Sequence, residues 1–154
     1  MITGPLAFAL HVLGAVLWVG GMVFAIVVLR PALGLLAPAD RLALLGRTHK
    51  KFFLIVWHAM PITIASGYAL MLTWYGGFAG AAWHVHLMHL TGLIMAGVFL
   101  AIFFGPWRAM RTALAAGVLP DAAAANDRIR QMVTVNMALG LLTVAVAAWG
   151  RFGG

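Results

Sequence analysis

Six histidines carry most of the chemistry available to this 154-residue chain, because cysteine is absent and acidic residues number only three, Asp40, Asp121 and Asp127. Imidazole nitrogens hold haem iron and ligate copper. His86 and His89 are spaced i, i+3 and so share one face of a helix, whereas His84 points away from both. Without cysteine there is no disulfide, thiolate metal site, redox dithiol or c-type haem attachment. Redox chemistry would therefore need a bound cofactor. The sequence offers no phosphate-binding glycine loop and no nucleophile triad. Its acids all lie in basic stretches, which counts against acid-base hydrolysis between apolar segments.

The elements that must position these histidines follow from composition. The chain is 64% hydrophobic and 8% charged, against about 25% charged in a soluble globule, so lipid must be the solvent for most of it. No Asp, Glu, Lys or Arg lies between Lys51 and Arg108, or from Met1 to Leu29. A spanning helix needs roughly 20 apolar residues, and four stretches supply them, at about 5–29, 52–75, 83–104 and 129–149. The expectation is an all-α integral membrane protein, a four-helix up-down-up-down bundle forming a single domain over residues 1–154. The glycines of Tyr75-Gly76-Gly77-Phe78-Ala79-Gly80 mark a tight turn between the second and third helices. The first stretch lacks a basic segment before it and is read as helix 1 rather than as a signal peptide.

The net charge of +7 is placed by topology and does not call for nucleic acid. Arg30, Arg41, Arg47, Lys50 and Lys51 face only Asp40 in the first loop, and Arg108, Arg111, Arg128 and Arg130 face Asp121 and Asp127 in the third. The positive-inside rule puts both loops in the cytoplasm and both termini outside. Anionic lipid is partner enough for such loops. Ala122 to Ala125 form a helical lead-in to the fourth helix. Homo-oligomerisation is compatible with such a bundle.

This orientation sets the histidines at depths. At ~1.5 Å per residue, His11 and His89 lie at similar levels, about 10 Å from the outer face, with His86 a turn shallower. Helices 1 and 3 run parallel on a diagonal of the bundle, so these side chains can face each other across the core. His58, Met60 and Asn136 lie in the inner half, where His58 and Asn136 can pair by a hydrogen bond or form part of a second metal site. His84 is expected to be wet at the outer interface and His49 wet at the inner one. Gly14, Gly20, Gly21, Gly67, Gly92, Gly97 and Gly140 leave room for a flat macrocycle, or serve close helix packing. Trp18 and Trp57 lie deep enough to wall a pocket, while Trp74, Trp83, Trp107 and Trp149 suit an aromatic belt. The nine methionines are scattered and are read mostly as packing.

The run from Leu10-His11 through Trp18-Val19-Gly20-Gly21-Met22 to Leu29-Arg30-Pro31 resembles the first helix of the copper resistance protein D family. The resemblance continues through Trp57-His58-Ala59-Met60-Pro61, Gly67-Tyr68, Trp83-His84-Val85-His86-Leu87-Met88-His89 and Val135-Asn136. The helix 1 histidine, the glycine turn and the helix 3 histidine are also similar to the four-helix protoporphyrinogen oxidases, which are haem-associated. Those relatives carry a lysine two places after the helix 3 histidine, where this chain has Met88 after His86, and that departure counts against the oxidase activity. The resemblance implies an inner-membrane protein concerned with copper entry or with b-type haem. From the residues, the leading expectation is haem b between helices 1 and 3, held by His11 with His86 or His89, beside Trp18 and Gly21. It would transfer electrons as an oxidoreductase component, with quinone or another redox partner. The alternative is copper import or handling by the same histidines with methionine ligands. A third is a scaffold subunit without cofactor.

Overall fold

A computed structural model describes residues 3–152 of the chain. The described residues are helical almost throughout, with no strand among them. Four helical spans are long and apolar enough to cross a bilayer: Thr3–Leu35, Pro38–Tyr75, Trp83–Ala115 and Leu119–Arg151. The third is divided at Gly105. We therefore label the helices α1 (Thr3–Leu35), α2 (Pro38–Tyr75), α3 (Trp83–Phe104), α4 (Pro106–Ala115) and α5 (Leu119–Arg151).

Helix is forced on these stretches because lipid offers no partner for backbone N–H and C=O groups. The breaks come where local chemistry permits them. Leu36 and Ala37 turn extended ahead of Pro38, which starts α2 with its missing N–H at the helix entrance. α2 ends on Gly76 at φ +69°, a left-handed cap open to glycine, and Gly77 follows at φ +116°. Phe78–Gly80 then make one 3-10 turn, which confirms the tight glycine turn expected there. Pro106 opens α4 and Gly117, at φ +73°, closes the chain back towards α5.

Two boundaries correct the sequence reading. The second span begins at Pro38 and the fourth at Leu119, not near 52 and 129, so the basic stretches expected as loops are mostly helix. Apolar length measures the lipid crossing, but a helix continues until a proline, a glycine or a missing partner stops it. Ala122 to Ala125 are helical as expected, within the first turns of α5.

α1 packs chiefly on α2, and α3 with α4 packs chiefly on α5, so the bundle consists of two antiparallel hairpins. α1 also touches α5 along its π-helical segments, Val16–Gly20 and Phe24–Leu29. Both hairpin tips and most of the cations lie at one end, here called the basic end. The glycine turn and the outer ends of α1 and α5 lie at the other, the terminal end.

The core runs from Trp18, Met22, Val56, Met95 and Phe99 in mid-bundle to Leu42, Leu45, Trp107, Met110 and Ala125 at the basic end. Trp107 is thus a correction to the aromatic belt: it is 4% exposed and packs edge-on against Phe53 at 5.4 Å. Trp107, Met110, Ala113 and Leu114 form the apolar face of α4, Arg108 points away from it, and the Arg111 guanidinium lies over the Trp107 ring at 5.5 Å. Leu6, Leu13, Val27, Leu72, Leu90 and Leu142 are exposed, as lipid-facing side chains should be.

Candidate functional site

α2 carries the groups that receive the histidines of α1 and α3. His11 Nδ1 lies 2.8 Å from the Thr63 carbonyl oxygen. A carbonyl only accepts, so Nδ1 bears a proton and donates, and in the neutral ring Nε2 keeps its lone pair. The approach depends on small residues. A methyl group at Gly67 would lie 3.0 Å from His11 Cε1, and one at Gly14 would collide with the Thr63 hydroxyl. The Ser66 hydroxyl, 3.4 Å from His11 Nδ1, gives its own proton to the Ile62 carbonyl at 2.6 Å.

About a turn further along α2, the Tyr68 hydroxyl lies 2.7 Å from His89 Nε2. Phe78 from the glycine turn lies edge-on to His89, with centroids 5.1 Å apart, and stacks on His86 at 6.1 Å. One aromatic ring therefore touches both members of the i, i+3 pair, which share a face as their spacing requires. His11 and His89 meet α2 between Thr63 and Tyr68, so they sit at similar levels. Each makes its hydrogen bond to α2, His11 through Nδ1 and His89 through Nε2.

The other candidates are dispersed. His58 donates from Nδ1 to the Leu54 carbonyl at 2.8 Å and is exposed on the lipid-facing side of α2. Asn136 is buried, with its amide nitrogen 3.7 Å from Met22 Sδ, so the expected His58–Asn136 hydrogen bond does not form. Met60 is buried in the core. Trp18 is also in the core, and Gly21 lies against the Phe52 ring, where any side chain would collide. Trp57 sits among Phe99, Phe103 and Phe104.

Of the two histidines expected to be wet, His84 is buried and His49 is half-buried. His84 is 7% exposed, its ring against Gly150 of α5, and its Nδ1 has no hydrogen-bond partner among the described residues. His49 donates from Nε2 to Asn126 Oδ1 at 3.1 Å and stacks on Phe53 at 5.5 Å. Both contacts join residues distant in sequence, which the one-dimensional pattern does not reveal.

Among the described residues, no three His, Asp or Glu side chains gather as a ready-made metal site. What the terminal half offers is sparser: a fixed imidazole on α1 with a free nitrogen, and a two-histidine face on α3 ordered by Tyr68 and Phe78. Such an arrangement suits an ion that accepts few ligands and tolerates soft ones, as Cu(I) does with imidazole and thioether donors. Met88, two residues after His86, points off the two-histidine face, and Met71 of α2 is buried.

The sequence pattern of copper resistance protein D matches residues 46–150. The match runs from α2 nearly to the end of α5 and leaves α1, with His11, outside it. No curated protein and no solved structure matches the chain. The likeness to protoporphyrinogen oxidases draws no support from these comparisons. With more than half of its length matched and four apolar spans in its fold, this multi-pass membrane protein belongs to the copper resistance protein D family.

Proposed function

We propose that the protein handles copper in the bacterial inner membrane, meeting the ion at the terminal end of the bundle with two separate sets of nitrogen donors, His11 on α1 and the His86–His89 face of α3. The charge distribution supports an orientation with that end in the periplasm, since the cations crowd the opposite end. Family membership supports copper over haem as the group handled.

The structural observation that carries the reading is the state of His11. A metal-ligating histidine characteristically gives its second ring N–H to a carbonyl, which fixes the tautomer and aims the other nitrogen. The Thr63 carbonyl does this for His11 at 2.8 Å, inside an apolar bundle where an unused imidazole would be costly. Copper is the cargo here. The side chains supply its first coordination, and lipid-exposed leucines on α1 and α3 keep water from the sides.

The test is Cu(I) titration of the purified, detergent-solubilised protein in competition with a chelator. We expect copper to bind, His11→Ala to weaken it by tenfold or more, and the double variant His86→Ala/His89→Ala to abolish it. No bound copper, together with unchanged copper uptake in cells lacking the protein, would overturn the reading. A Soret band in the purified protein would replace it with haem b.

A further inference from the structure

A pocket of about 290 Å³ opens at the basic end, between α1, α2 and α5. Its wall is apolar, built by Phe24, Leu29, Phe52, Ile55, Ile129 and Val133. Arg30, Lys51 and Arg130 also line it, beside the neutral polar Thr48, His49 and Asn126. These two chemistries do not belong to one small solute. They belong to the two parts of an amphiphile.

Two further observations single the place out. The wall that α1 contributes coincides with its π-helical segment, Phe24–Leu29, and π-bulges in helices gather at functional sites. The charges at the rim are also unequal. Arg30 and Arg130 share one carboxylate, Asp127, at 4.0 and 3.3 Å. The Arg130 Nε is nevertheless out of line for a hydrogen bond and is buried without an acceptor among the described residues. Three cations against one carboxylate leave a surplus of positive charge and at least one idle donor.

We propose that this pocket binds an anionic phospholipid. One acyl chain lies in the slot between α1, α2 and α5, and the phosphate meets Arg30, Arg130 and Lys51, displacing Asp127 from its shared position. The volume is near the lower limit of small-molecule sites, roughly 300 Å³, and so takes part of one chain. Arg30 closes the uncharged run of α1 and Lys51 precedes that of α2, which places the rim at headgroup depth. Inorganic phosphate would satisfy the rim and leave the slot empty. The proposal rests on the bundle and its charges and is independent of copper.

The test is native mass spectrometry of the full-length protein titrated with phosphatidylglycerol or phosphatidylcholine of matched chains. Phosphatidylglycerol should bind at least tenfold more tightly. Each arginine should contribute about fivefold, the worth of one cation near a phosphate, so Arg30→Gln/Arg130→Gln should erase most of the preference. Lys51→Gln is the substitute if that variant does not fold, as judged by its thermal transition. Ala25→Phe, which fills the slot without touching a charge, should weaken phosphatidylglycerol as much. Equal binding of the two lipids overturns the proposal. So does a preference that survives Arg30→Gln/Arg130→Gln, so does phosphatidylglycerol binding left unweakened by Ala25→Phe, and so does full displacement of phosphatidylglycerol by millimolar inorganic phosphate.

Discussion

Replacing Gly67 by alanine adds one methyl group to α2 and tests how His11 is held. The new carbon would lie 3.0 Å from His11 Cε1 and 3.3 Å from Nδ1, closer than ordinary contact, so the ring must give by a few tenths of an ångström. The bond from Nδ1 to the Thr63 carbonyl starts at 2.8 Å and is pushed towards the far end of the ~2.7–3.2 Å range. Such a bond is worth about 1 kcal/mol, and half of it is a fair measure of the loss. Alanine in place of glycine returns up to ~1 kcal/mol of helix propensity, so stability should change by no more than ~0.5 kcal/mol in either direction. Copper affinity should respond more strongly, because disturbing the group that orients a ligating histidine costs roughly 10- to 100-fold. We expect about tenfold. The control is Gly92→Ala, where nothing lies within 4 Å of the added methyl; it should gain stability and leave affinity alone. Both variants would be measured by Cu(I) competition and by thermal unfolding in the same detergent. If Gly67→Ala binds copper within twofold of the parent while His11→Ala does not, the account of how His11 is positioned is refuted.

Tyr68→Phe removes the hydroxyl 2.7 Å from His89 Nε2; with that orienting partner gone, Cu(I) affinity should fall about tenfold, and a rise would show that tyrosine competes with the metal instead. Asn136→Leu replaces a side chain that is 2% exposed, whose Oδ1 has no partner among the described residues. An orphaned buried acceptor costs about 1–3 kcal/mol, so the variant should melt at a higher temperature, and a clear drop would reveal an unseen partner. Trp107→Ala should cost about 3–5 kcal/mol by emptying the basic-end core, measured by denaturant unfolding, whereas Trp149→Ala, at a site 73% exposed, should stay within ~0.5 kcal/mol.

The four crossings were legible because charge is excluded from lipid, and the uncharged runs before Arg30, between Lys51 and Arg108, and between Arg130 and Arg151 mark them. The basic end was less legible. Its helices leave the lipid and continue as an amphipathic sub-bundle, for which the signals were Leu42 with Leu45 and Trp107 with Met110 at helical spacing between arginines. The shared face of His86 and His89 followed from spacing, and Phe78 touches both. The attachment of His11 could not be read. Its acceptor is a backbone carbonyl, which every residue possesses, and the only trace in sequence is the pair of glycines, Gly14 and Gly67, that let the helices approach. His84 against Gly150 and His49 against Asn126 are long-range contacts of the same kind.

The division into two antiparallel hairpins bears on how the chain enters a membrane. Each hairpin closes at the basic end, and each tip carries its own arginines: Arg30, Arg41 and Arg47 in one, Arg108, Arg111 and Arg128 in the other. The topogenic signal is therefore duplicated, and either hairpin can orient itself without the other. Stripping the cations from one tip would not invert the molecule. It would set one half against the other across the uncharged glycine turn. That turn is also where the polypeptide could be cut into two separately inserted fragments that reassociate through α1, α2 and α5.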